Sequence, residues 1–214
     1  IEKEEVAGLQ KQAAEFLGKS KNKKYAILEP IWTIQKSEDE KVAAKAVNEL
    51  IKYKGDERVA AVLSKEIAGK RTAVIEAAIE GLDKVDDDAT RLKLLTDEKV
   101  ETKWLLAIAK DLSEEKTAAT RVAGLKFIAA NSSEQREAER AIAKLASDKD
   151  EAARAAAESF LDDKIDWRRR AAAAGLAARD AVDSLPAFAS AIKKHKNDRE
   201  LEDAGYSIML SQPL

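Results

Sequence analysis

The sequence predicts an all-α fold on three observations: its composition, its apolar spacing and an internal repeat. Alanine supplies 41 of 214 residues, aromatics only 5%, and Gly and Pro number 8 and 3, so strong helix formers dominate and strand formers are scarce. Apolar residues recur at three- and four-residue spacing, along one stripe of a helix. The stripes come in pairs, and the pairs return at a fixed interval. The expected architecture is an α-solenoid of about six to seven antiparallel helix pairs with a period near 31–33 residues, one repeat domain over residues 1–214.

Taken in order, Val42, Ala46, Val47, Leu50 and Ile51 form one stripe, and Val59, Val62, Leu63 and Ile67 form the next. Gly55-Asp56 separates them, a residue able to end a helix followed by one able to cap the next. Further stripes follow: Ile75, Ala78, Ile79 and Leu82; Leu92 and Leu95; then Val100, Trp104, Ile108 and Leu112. The register of the repeat is carried by Leu17, Leu50, Leu82, Leu112, Leu145, Leu176 and Tyr206, spaced by 33, 32, 30, 33, 31 and 30 residues. Four residues earlier stand Ala13, Ala46, Ala78, Ile108, Ala141, Ala172 and Glu202. Three earlier stand Ala14, Val47, Ile79, Ala109, Ile142, Ala173 and Asp203. A looser column at Leu63, Leu95 and Leu125 marks the second helices.

Units are expected to start near residues 2, 38, 72, 98, 133, 167 and 198, with the last incomplete. Ser37-x-x-Glu40 and Ser132-x-x-Gln135 have the pattern of capping boxes, and Asp166 and Asp198 stand where the sixth and seventh units begin. Gly81, Gly175 and Gly205 directly precede the register positions, which suggests close helix approach there.

Composition narrows the chemistry. The absence of cysteine excludes disulfides and thiolate sites, and a single His195 excludes sites that need two imidazoles, so neither a metal nor a cofactor is expected. Net charge is −2, with block values of +2, −3, −3 and +2 for residues 1–54, 55–97, 98–166 and 167–214; this interleaving disfavours nucleic acid as a partner. The longest apolar stretch, Ala171 to Ala178, is far below the ~20 residues a membrane helix requires. Because the chain opens on Ile1 and not Met, it is expected to be a trimmed product, soluble, and either cytoplasmic or exported.

The stretch Val42-x-x-x-Ala46-x-x-x-Leu50 with Val59 to Ile67 resembles the HEAT-like repeat family, as do Ala77-Ala78-x-x-Gly81-Leu82 and Ala173-Ala174-Gly175-Leu176 with Val182 to Ile192. The resemblance covers nearly the whole chain. It implies a non-catalytic protein-binding or scaffolding role in a larger complex; the alternative it implies is a nucleic-acid-binding protein of the DNA-alkylation-repair type.

Candidate sites are few. Asp86, Asp87, Asp88 and Asp162, Asp163, Asp166 lie at helix boundaries, where capping accounts for them. Gly69-Lys70 lacks the first glycine and closing Ser/Thr of a phosphate loop. His195 stands among Lys193, Lys194 and Lys196 without a carboxylate neighbour in sequence. An enzyme on this scaffold would have to rely on carboxylates or on Tyr25, Tyr53 and Tyr206. Trp32 and Trp104 sit on apolar stripes and read as core.

Basic clusters occur at Lys19 to Lys24, at Trp167 with Arg168, Arg169 and Arg170, and at Lys193 to Lys196; of these, Trp167 to Arg170 suits a protein hot spot best. At the other candidate surface, Ile208, Met209 and Leu210, with Leu214, form an apolar face without a following helix. They are expected to fold back as a cap or to dock against another chain, including a second copy.

Overall fold

The computed structural model describes residues 3–85, 87–179, 181–196 and 198–211, with side chains from residue 8 onward. Asp86 and Leu214 lie outside the described residues. Every regular element among the described residues is helical. The chain divides into two compact units, Ile1–Leu105 and Leu106–Leu214.

The first unit contains α1 (Lys3–Gly18), α2 (Lys23–Ala26), α3 (Leu28–Lys36), α4 (Glu40–Ile51), α5 (Glu57–Ile67), α6 (Thr72–Val85) and α7 (Asp88–Leu94). The division between the units falls within α8 (Thr102–Ser113). The second unit continues with α9 (Ala118–Asn131), α10 (Gln135–Ser147), α11 (Glu151–Ser159), a 3-10 turn at Phe160–Asp162 and α12 (Asp166–Ala178). It ends with a 3-10 turn at Val182–Ser184, α13 (Leu185–Lys194) and α14 (Arg199–Leu210).

Helices one repeat apart pack on each other inside each unit. In the first, α4 lies against α6; in the second, α10 lies against α12 and α12 against α14. The register columns are the reason. Leu50, Leu82, Leu112, Leu145 and Leu176 are all buried, and so are the residues three and four before each of them. Small side chains in those columns let the backbones approach. A Cβ at Gly175 would stand 2.8 Å from the Ala146 Cβ, and one at Gly124 would stand 2.5 Å from the Ala109 carbonyl oxygen.

The repeat departs from its expected register at both ends. In α1, Leu17 is half-buried and Ala13 exposed, with Ala14 alone of the three in the core. In α14 the buried residues are Leu201, Gly205 and Ile208, while Tyr206 is exposed. Ile208, which lies 32 residues after Leu176, is therefore the seventh register position, and Ala204 and Gly205 fill the columns before it with small residues. In the third unit of the repeat Leu94 is buried in place of Leu95, because α7 ends at Leu94. Val42, expected in the core stripe of α4, is 45% exposed, and Ala43 takes the inward position.

Gly55 has φ 94, the left-handed geometry glycine adopts without strain, and Asp56 caps α5 by accepting from the Arg58 N–H, as that pair predicts. Asp87, Asp150 and Asp198 cap α7, α11 and α14 in the same way.

The two capping boxes do not form. Asp39 caps α4 instead, since its carboxylate reaches the N–H groups of Lys41 and Val42 at 2.8 and 3.3 Å. Glu40 turns outward to accept from the Ala73 N–H at the start of α6. Ser132 ends α9, accepting from the Glu134 N–H and donating to Glu137. Asp88 pairs with Arg91, a guanidinium only 1% exposed that also binds Asp83 at 3.0 Å.

Several carboxyls are held below their ordinary range by such contacts. The Arg58 side chain lowers Asp56 to about 2. Lys110 and then Ser132 lower Glu137, and the Asp150 N–H and then Arg121 lower Asp148. A carboxyl depressed in the folded state contributes stability that is complete above its unfolded pKa and lost as pH falls through its folded value. Thermal melts followed by circular dichroism should therefore show a Tm that is level above about pH 5 and declines between about 4.5 and about 2.

Glycine packing gives a second expectation. Gly124→Ala puts a methyl group against backbone that has no rotamer to give way, and should destabilise by about 2–4 kcal/mol in urea titrations. Gly205→Ala meets nothing closer than 3.5 Å. It should leave the protein as stable or more stable by about 0.5–1 kcal/mol, because alanine is the better helix former.

Candidate protein-interaction site

The last hairpin of the second unit presents an apolar groove. On α13, Phe188 and Ala191 face the core, while Leu185, Ala189 and Ile192 turn toward α14. On α14 the inward stripe Leu201, Gly205, Ile208 has a neighbour one residue on, Glu202, Tyr206, Met209, which rotates about 100° around the helix and faces outward. Between the two helices lies a hollow of about 400 Å³ over Gly205. Gly205 keeps its floor low, since the atoms nearest to a Cβ there, on Phe188 and Ile192, lie no closer than 3.5 Å. Tyr206, Met209 and Leu210 are 58%, 47% and 84% exposed. Ile208, expected beside them, is fully buried and belongs to the core.

The guanidinium cluster is differently disposed. Arg168 donates to the Ala130 carbonyl at 2.7 Å and lies 5.2 Å from the Trp167 ring centroid. Arg169 pairs with Asp198 at 3.0 Å and donates to the Asp163 carbonyl at 2.9 Å. Arg170 pairs with Asp166 and Glu200. Three consecutive arginines thus point three ways, each into its own chain, and their place in the structure is to tie α12 to its surroundings. Trp32 and Trp104 are half-buried, with the Lys103 ammonium 4.6 Å from the Trp104 ring.

His195, without a carboxylate neighbour in sequence, meets one in space: its Nε2 lies 3.0 Å from Asp162, whose other oxygen takes Lys194. The hydrogen bond from Lys194, and to a lesser degree the contact with His195, holds Asp162 below the usual carboxylate range. Beside them a hollow of about 490 Å³ is lined by Arg169, Arg170, Lys196, Asp198, Arg199 and Glu200. Among the described residues no group of three or more His, Cys, Asp or Glu side chains could hold a metal ion, and no helix is long and apolar enough to cross a membrane.

Exposed apolar residues in the first unit went unread in the sequence. Leu9 and Phe16 project from α1, and a hollow of about 660 Å³ is lined in part by Glu29, Pro30, Thr33, Val42, Lys45 and Tyr53. The signal for α1 was present: Leu9, Ala13 and Phe16 stand at i, i+4 and i+7, one stripe away from Ala14 and Leu17.

No family model matches the chain, and no curated protein matches it. Among solved structures, the chain is similar to the crystal structure of an engineered protein, a structural-genomics target, with 17% identity over 94% of this chain and 95% of that one and a TM-score of 0.35. No shared fold is read from a score that low.

The arginines give an expectation of their own. Arg169 is 12% exposed and fully engaged, so Arg169→Lys, which keeps the charge and loses the planar fork, should lower stability by about 1–3 kcal/mol in urea titrations. Arg170→Lys, at a side chain 45% exposed, should stay within about 0.5 kcal/mol of the parent.

Proposed function

We propose that this chain is a non-catalytic protein-interaction module, a subunit or assembly factor of a larger complex, built as an α-solenoid of the HEAT-like kind. The observation that carries the reading is the groove between α13 and α14, where Tyr206 and Met209 expose large apolar side chains around a hollow floored by glycine, with Leu210 exposed next to Met209 in sequence. Contiguous exposed apolar surface is costly to keep in water and marks places where another molecule binds. Aromatic and methionine side chains are also the types enriched at protein interfaces.

The solenoid part of the proposal is supported by the packing of helices one repeat apart, α4 on α6, α10 on α12 and α12 on α14. Each such helix buries the same columns against its neighbour, and a further helix laid on α14 would have the groove to bury.

Native mass spectrometry on the chain isolated from its source cells should find it in a complex of defined stoichiometry. The variant Tyr206→Ser/Met209→Ser/Leu210→Ser should release it as a monomer with an unchanged helical spectrum. A parent chain that is monomeric and partnerless in that material would overturn the proposal.

A further inference from the structure

We propose that the occupant of the α13/α14 groove is an acidic amphipathic segment of a partner protein; the inference rests on the docking role given to that groove above. The charge distribution around the hairpin is the reason. Between the end of α13 and the start of α14 stand Lys193, Lys194, His195, Lys196 and Arg199. Lys194 and His195 share Asp162. Lys193, Lys196 and Arg199 have no hydrogen-bond or ion-pair partner among the described residues, and all three are exposed. Of the nearby carboxylates, Asp198 is taken by Arg169 and Glu200 by Arg170, while Glu202 at the groove and Asp203 next to it in sequence stay unpaired among the described residues. A chain of net charge −2 therefore gathers unpaired cations, Lys193, Lys196 and Arg199, in the turn at one end of its apolar hollow, where Asp198 is the one carboxylate of residues 193–199.

The placement of two of these cations is unfavourable for the chain by itself. Arg199 is the first residue of α14 and Lys196 lies two residues before its Asp198 cap, so both sit at the positive end of the helix dipole, where a cation is destabilising and an anion is favoured. An external carboxylate arriving there meets the dipole and both side chains together. Lys193 extends the same field onto the groove wall itself, beside Ile192, on a hollow that Glu202, Tyr206 and Met209 also line. An apolar side chain seated over Gly205, with acidic residues reaching the Lys193–Arg199 turn, satisfies both features at once. A basic segment would satisfy only the first.

The test uses fluorescence anisotropy with the full chain and a labelled helical peptide of leucine, alanine and glutamate. Its leucines stand at i, i+4 and i+7 with glutamates flanking them; the comparison probes are the same peptide with lysine for glutamate and a single-stranded DNA of equal negative charge. The glutamate peptide should bind, weaken with added salt, and lose roughly tenfold or more in affinity in Lys196→Glu/Arg199→Glu and in Met209→Ser. Equal binding of the lysine peptide would overturn the acidic partner while leaving the groove a docking surface. Equal binding of the DNA, insensitive to Met209→Ser, would overturn a protein occupant in favour of a polyanion. Binding of none of the three would overturn this inference and, with a monomeric parent chain in native material, the docking role as well.

Discussion

Close approach between successive helices is the constraint on which the rest of the structure depends. Where α10 meets α12, Gly175 and Ala146 face each other with no room for another methyl group, and where α9 meets Ala109 and Ser113 the contact is with backbone itself. The columns before each register leucine hold mostly alanine for the same reason. A core made of alanine buries less apolar area per residue than one made of leucine, so each contact is individually weak. What it gains is proximity: short side chains let the helix backbones approach closely, and one register leucine on each such helix fills the space that remains. Stability is spread over many such interfaces, and no one of them dominates.

Thin interfaces of this kind leave helix ends near one another, and the arginines exploit that. The last turn of every helix carries carbonyl groups with no intrahelical partner. Arg71 donates to the Ile34 and Ser37 carbonyls at the end of α3, at 2.6 and 3.1 Å; Arg168 reaches Ala130 in the last turn of α9; and Arg179 reaches Ala146 and Asp148 at the end of α10. Each is a cation at the negative end of a helix dipole, supplied from 31 to 38 residues downstream. Arg121 and Arg169 work by a second shared pattern. Both occupy the fourth position of a helix, donate back to two carbonyls of the preceding turn, and pair with an aspartate in a later turn, Asp148 or Asp198. One device is thus used on a second helix of the repeat in α9 and on a first helix in α12.

This division explains what was legible beforehand. Apolar columns are legible because their partners are other columns of the same repeat, so position alone implies burial; that held from Leu50 to Leu176. Gly55-Asp56 was legible because its chemistry is local. The arginine contacts were not, because their acceptors are carbonyl oxygens, which every residue possesses and no sequence pattern marks. Trp167 to Arg170 therefore read as a free cluster when Arg168 and Arg169 are turned inward and Arg170 is paired at the surface with Asp166 and Glu200. The capping box at Ser37 failed for a related reason: Asp39, two residues on, takes the same N–H groups and offers a full charge, which frees Glu40 to cap α6, whereas Ser132 closes α9 and donates to Glu137. The candidate site was half legible. A face lacking a following helix could be seen, but placing Tyr206 in the core put the register two residues early, and Ile208 was taken for surface.

That shift of register is also what makes the last hairpin unlike the others. With Ile208 in the register position, small residues at 204 and 205 suffice to seat α14 on α12, and the stripe one residue on is left to Glu202, Tyr206 and Met209. Along α10 the burial of successive stripes is supplied by α9, α11 and α12 together, so alanine in a column is matched by a neighbour's bulk. Over Gly205 the nearest side chains lie at ordinary contact distance and the hollow stays open. Where Gly124 and Gly175 make room for tight contact with a neighbouring helix, Gly205 meets α13 only at ordinary contact distance and leaves room above it, beside aromatic and thioether side chains and near cations without a partner among the described residues. The same small-residue rule that closes the other interfaces thereby shapes an open one, and its electrostatics set which partner can close it.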